Sequence, residues 1–175
     1  MIVTLTANPS IDRTIAIGGV LQRGAVQRAE STLSQAGGKG VNISRACLAA
    51  DVSTFAVLPA VDGDPFCREL DTAGIPARLV RGDGPVRVDL AITEPDGTTT
   101  KLNNPGPTVS AGTLDALRDA LVALADRSAW IVLAGSLPPG APAHWYADLV
   151  APLSARTQVA VDTSDEPLRA LARAF

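Results

Sequence analysis

The sequence predicts an α/β protein built on a mostly parallel central sheet, with a second, smaller sheet beside it. Three observations carry that expectation. From Lys39 onward, stretches of strand and helix character alternate, the rhythm of parallel strands joined by right-handed helical crossovers. Two regions break the rhythm, a polar stretch before Lys39 and a hairpin pattern near mid-chain, and these read as a separate sheet. Hydrophobic residues make up 46% and charged residues 19% of the 175, enough apolar surface for a core in one domain or part of one. Aromatics are only 3%, so that core must be aliphatic.

Ile2–Ala7 alternates β-branched and apolar residues and stops at the turn signal Asn8-Pro9, which predicts a buried first strand. Arg13–Ile17 runs into Gly18-Gly19, and the more polar Ala25–Leu33 leads to Gly37-Gly38; both read as half-exposed strands. Helical spacing of Val41, Ser44, Arg45 and Leu48 predicts a helix over Lys39–Ala50. Ser53–Pro59 reads as a strand, then a helix through Phe66, Leu70 and Ala73 stops at Gly74, then Ala77–Val80 as a short strand. Val86–Thr93 and Thr98–Leu102 form a hairpin around Asp96-Gly97. Ser110 caps a helix with the stripe Leu114, Leu117, Leu121 and Leu124. Trp130–Ala134 is a strand, Ala143–Leu153 a helix and Gln158–Val161 a strand. A last helix begins near Glu166, with Leu168 and Leu171 turned inward. It has no C-cap at Phe175 and leaves the final sheet edge thinly covered, the pattern expected of a cut point inside a domain.

Several function classes are disfavoured. A net charge of −3 argues against a nucleic-acid binder, which would carry a basic face. No apolar run reaches the roughly 18 residues of a membrane span. Met1-Ile2-Val3-Thr4-Leu5 lacks the basic flank of a secretion leader, so the expected setting is cytoplasmic. Cys47, Cys67 and His144 cannot make a four-ligand zinc site, and no metal site is expected.

The strongest local signal is Ala36-Gly37-Gly38-Lys39-Gly40-Val41-Asn42, a glycine-rich turn opening a helix, where backbone and helix-end amides can approach a ligand. It is not a P-loop, which needs Ser or Thr after the lysine, and it stands too far from the first strand for a dinucleotide fingerprint. The same glycines would equally suit a loop that needs positive φ. The chain has thirteen arginines but only two lysines, Lys39 in this turn and Lys101 at the hairpin's end. Asp12 follows the first strand, where an acid suits either a turn or sugar hydroxyls. Arg87, at the start of the hairpin, suits either an edge strand or a phosphate. Ser136, in the loop after Trp130–Ala134, could donate to an anion or simply sit in a rigid strand-to-helix turn.

Taken in order, Thr6-Ala7-Asn8-Pro9-Ser10-Ile11-Asp12, Gly37-Gly38-Lys39-Gly40-Val41-Asn42-Ile43-Ser44-Arg45, Asn103-Asn104-Pro105-Gly106-Pro107 and Ala134-Gly135-Ser136-Leu137-Pro138-Pro139-Gly140 resemble the ribokinase-like (PfkB) carbohydrate kinases, nearest their phosphosugar branch. The resemblance spans the chain. It implies an αβα sandwich with a small β-sheet lid, its lid strands near residues 13–33 and 86–102, residues 1–175 being the N-terminal part of such a domain. It implies transfer of a phosphoryl group from ATP, with Mg2+, to a hexose phosphate, fructose 1-phosphate first. By similarity, Asp12, Gly38, Lys39 and Asn42 would hold the sugar. Arg87 and Ser136 would face its phosphate, with Lys101 and Asn103 nearby on the lid. Homodimerisation through the lid is a further implication.

Two departures stand out. Asp62-Gly63-Asp64-Pro65-Phe66 resembles a family turn, but Cys67 replaces its final glycine. The Gly-Ala-Gly-Asp segment that supplies the family's anion hole and catalytic aspartate is absent, as is its Asn-x-x-Glu element, so no catalytic base is assigned and most of the ATP site is expected elsewhere. The alternative expectations are a phosphosugar-binding protein without catalysis and, on weak grounds, a nicotinamide-dependent oxidoreductase.

Overall fold

The computed structural model describes residues 1–175. In chain order the elements are β1 (Ile2–Thr6), β2 (Ser10–Ile17), β3 (Ala29–Gly37), α1 (Lys39–Ala49), β4 (Thr54–Ala60), α2 (Pro65–Thr72) and β5 (Ala77–Arg81). They continue with β6 (Arg87–Thr93), β7 (Thr99–Leu102), α3 (Ala111–Ala125), β8 (Trp130–Ala134), α4 (Trp145–Ser154), β9 (Gln158–Asp162) and α5 (Asp165–Ala174). The central sheet is parallel throughout, in the order β5-β4-β1-β8-β9. The smaller sheet runs β3-β2-β6-β7, with β2 and β6 parallel and the outer pairs antiparallel. The α/β expectation and its two sheets match this architecture.

Alternation along the central strands builds three layers. Val3 and Leu5 of β1, with Val57, Ile131 and Leu133, pack against Leu117 and Leu121 of α3 and Tyr146, Leu149 and Leu153 of α4. On the other face Ala56 and Leu58 meet Val41 of α1 and Phe66 and Leu70 of α2, and this second core extends to Ile11 and Val86 of the lid. Val3 and Leu5 are the β1 residues turned toward α3. Toward α1 it offers Thr4, whose hydroxyl bonds Ser44 (2.8 Å), which in turn bonds Thr54 (3.0 Å), so these buried hydroxyls satisfy one another.

Asp64 links the core to the lid. It N-caps α2 by accepting from Phe66 N–H (2.8 Å), and its second oxygen accepts from Val86 N–H (2.8 Å) just before β6. Asp64→Ala leaves both buried donors without partners. It is expected to cost about 3 kcal/mol, read as a lower urea midpoint at unchanged slope.

Three expectations need correction. β3 lies four residues later than Ala25–Leu33, because pairing of Ser10 with Gly37 and Asp12 with Gln35 carries the strand into the glycines. The segment before it instead folds on itself through Gln27, whose amide bonds Gln22 N–H and Val20 O. Asp12 lies within β2 and not in a loop beyond β1, since the lid strand already begins at Ser10. Leu168 is 51% exposed and not inward, because α5 buries none of its residues; Leu171 alone reaches the core edge. No helix is long and apolar enough to cross a membrane.

Candidate functional site

The carboxyl ends of β1, β8 and β9 and the concave side of the lid enclose an open cleft of about 660 Å3. All eight residues singled out by sequence line it: Asp12, Gly38, Lys39, Asn42, Arg87, Lys101, Asn103 and Ser136. They come from five separate stretches of chain. The strand-end rule for parallel sheets accounts for the position of the cleft.

The glycine turn enters the cleft at the start of α1. Gly38 is the N-cap residue with φ +101, a conformation open to glycine at little cost. Gly40 is required for a different reason, since a Cβ there would lie 2.5 Å from Leu5 O, so α1 can rest directly on β1. One glycine thus serves the backbone turn and another the packing beneath it. Asn42 accepts from Arg45 Nη1 through Oδ1 (2.7 Å), which leaves its amide NH2 as a donor at the cleft. Lys39 is half-exposed and pairs with Asp162 at 2.8 Å, bridging α1 to the end of β9.

On the lid, Asp12 accepts from Ser10 Oγ (2.6 Å) with one oxygen and leaves the other without a protein partner. Arg87 lies at the lid's root. It donates to Asn104 O (2.7 Å) and Asn8 O (3.3 Å), pairs with Asp89 (3.4 Å) and buries Nε without a partner. Asn8 also holds the segment after β7, donating to Pro105 O at 3.0 Å. Across the cleft, Ser136 follows Gly135, whose carbonyl accepts from Tyr146 (3.2 Å) and Thr163 (3.0 Å). Burial pushes the Tyr146 phenol far above its usual range, so it stays a neutral donor that fixes this turn. The remaining candidates stand apart from the cleft. His144 is exposed and paired with Asp148 at 2.7 Å. Burial, then Asp64 and Asp71, raise the Cys67 thiol, which packs against the second core.

Sequence reasoning did not single out Asp162 or Asp89. The strand-end rule that drew attention to Asp12 and Ser136 applies equally to Asp162. Alternation from Arg87 places Asp89 on the same face of the strand.

No protein-family model matches the chain. It is 38% identical over 171 residues to the 1-phosphofructokinase of Xanthomonas campestris, covering 95% of this chain and 53% of that protein. To the tagatose-6-phosphate kinase of Staphylococcus epidermidis it is 30% identical over 152 residues, covering 86% and 48%. Its fold superposes on phosphofructokinase-2 from Escherichia coli, solved with fructose-6-phosphate, with a TM-score of 0.91 at 23% identity, over 99% of this chain and 58% of that one. The chain spans about half the length of the curated relatives it matches. Motifs, layered fold and kinship agree: over most of its length the chain is similar to 1-phosphofructokinase and tagatose-6-phosphate kinase, and it has the fold of phosphofructokinase-2.

Proposed function

We propose that this chain forms the sugar-phosphate-binding portion of a longer ATP-dependent kinase whose acceptor is a hexose phosphate, fructose 1-phosphate in the first place. The observation that carries this is the convergence of eight residues from separate motifs on one cleft at the strand ends. The free Asp12 oxygen accepts from sugar hydroxyls, and the Asn42 amide and the backbone at Gly38 complete the sugar's surroundings. Lys39 brings a positive charge to the same end of the cleft. Arg87 and Ser136 hold the phosphate already on the sugar, with Lys101 and Asn103 closing over it from the lid. Charge-assisted bonds of this kind contribute about 1.5–3 kcal/mol each, enough to prefer a phosphosugar to the plain sugar.

ATP would supply the phosphoryl group. Mg2+ would accompany it, a cation usually held by one or two carboxylates and the nucleotide's own phosphates. This chain brings no three His, Cys, Asp or Glu side chains together, and none of its residues is given to the metal or to the base. The setting that suits such a reaction is the cytoplasm.

Titration of the chain with fructose 1-phosphate, fructose 6-phosphate, tagatose 6-phosphate and fructose tests this reading. A rise in melting temperature with the phosphates and not with fructose is expected. No rise with any hexose phosphate at millimolar concentration overturns it. The alternative reading is a phosphosugar-binding protein without catalysis. Phosphoryl transfer from ATP by the complete protein separates the two.

A homodimer through the lid belongs to the same proposal. Alternation and the β2–β6 register set Ile15 beside Ile92 on the outer lid face, with Leu90 and Leu102 a step away, all of them half-buried or exposed. This apolar face fits a second copy of itself. Ile92→Asp is expected to convert the dimer to a monomer by light scattering, and a monomeric wild type removes the proposal.

A further inference from the structure

We propose that Asp89 is a positioning residue, which fixes the pose of Arg87 and locks the segment leaving β7 to the start of β6. This deepens the functional reading above and rests on it for its bearing on substrate. Arg87 and Asp89 are two residues apart on β6, so both point to one face. Their side chains are only 13% and 15% exposed, and Arg87 Nη1 lies 3.4 Å from Asp89 Oδ2. Both then reach the same residue on another stretch of chain. Arg87 Nη1 donates to Asn104 O at 2.7 Å, and Asn104 N–H donates to Asp89 Oδ1 at 2.9 Å. The Asn104 side-chain amide donates to Val88 O between them. These contacts close a ring, and Arg87 Nη2 extends it to Asn8 O in the loop between β1 and β2.

Asp89 controls the ring on two grounds. The Arg87 Nε–H is buried without a partner, which is unfavourable, so this pose is imposed by the other contacts. Among those contacts Asp89 is the one charged group. Secondly, a carboxylate beside an anion site opposes the anion's charge. Its presence there is accounted for if it orients Arg87 and anchors Asn104.

The test uses the full chain with Asp89→Ala, Asp89→Asn, Arg87→Ala and the double variant Arg87→Ala/Asp89→Ala. Calorimetric titration with fructose 1-phosphate is expected to show Asp89→Ala about tenfold weaker than wild type. Asp89→Ala should cost clearly less in the Arg87→Ala background than in wild type, because part of its effect runs through that residue and only the anchoring of Asn104 is left to lose. Asp89→Asn keeps the acceptor for Asn104 N–H and should recover part of the loss. An Asp89→Ala variant that binds as well as or better than wild type overturns the proposal, and so does a loss fully additive with Arg87→Ala. A readout without sugar separates this from the functional reading. In nitrogen-15 NMR the Arg87 Nε–H should be distinct and slowly exchanging in wild type and collapse to the exposed-arginine position in Asp89→Ala. If wild type binds no hexose phosphate, the functional reading falls and this signal decides Asp89 alone; an unchanged signal in Asp89→Ala overturns the positioning role.

Discussion

Arg87→Ala is expected to weaken binding of fructose 1-phosphate by about 100-fold, while any binding of fructose itself stays as it was. The loss corresponds to two charge-assisted bonds to one phosphate, together about 3 kcal/mol. Calorimetric titration of both ligands checks it. Arg87→Lys separates charge from shape, since an ammonium keeps the positive charge but lacks the planar fork. Binding by the lysine variant should fall between wild type and alanine. The same side chain also bonds the Asn104 and Asn8 carbonyls, so Arg87→Ala loosens the root of the lid as well. A phosphosugar affinity within about threefold of wild type would remove Arg87 from the phosphate site.

Gly40→Ala is expected to destabilise the fold by about 3 kcal/mol, although it adds a single methyl group. That methyl would lie 2.5 Å from Leu5 O and 2.9 Å from Leu5 C, atoms of a central strand that cannot turn aside. α1 would have to lift from β1 and disturb the Thr4–Ser44–Thr54 hydroxyl chain beneath it. Gly112→Ala is the matched control. Its nearest neighbour would be Ser110 Oγ at 3.8 Å, and alanine in α3 should raise stability by about 0.5 kcal/mol. Urea denaturation of the two variants should therefore move in opposite directions. Loss of stability in Gly40→Ala would show that this motif glycine is needed for packing before any ligand arrives.

Local chemistry made much of this fold legible. The Ser110 cap, the leucine stripe after it, the Asp96-Gly97 hairpin and the helix after Gly38 each depend on residues a few positions apart, and each lies where the pattern puts it. The sheet orders were not legible, because the neighbours of β1 are β4 and β8, and β2 pairs with β6 from far along the chain. The start of β3 was misplaced for the same reason: its register is set by a partner and not by its own polar sequence. Leu168 misled because helical spacing identifies an apolar face without saying what covers it. At the site, the glycine turn and the strand-end loops announced themselves through glycine and proline. The pairings of Lys39 with Asp162 and Arg87 with Asp89 depend on which strand ends and side chains the fold makes neighbours.

The central place of β1 bears on the order in which this protein can assemble. It leaves the ribosome before β2 to β9, yet it is hydrogen-bonded on one side to β4 and on the other to β8, whose residues are 130–134. Until those residues emerge, one edge of a strand containing Val3 and Leu5 stays open, and the nascent sheet cannot close around it. Pairing across such long sequence separation slows folding and lengthens exposure to aggregation. The same holds for the lid, where β2 waits for β6. A nascent chain stalled before residue 130 should therefore lean on chaperones that cover apolar strand edges, and release of that burden should coincide with the synthesis of β8.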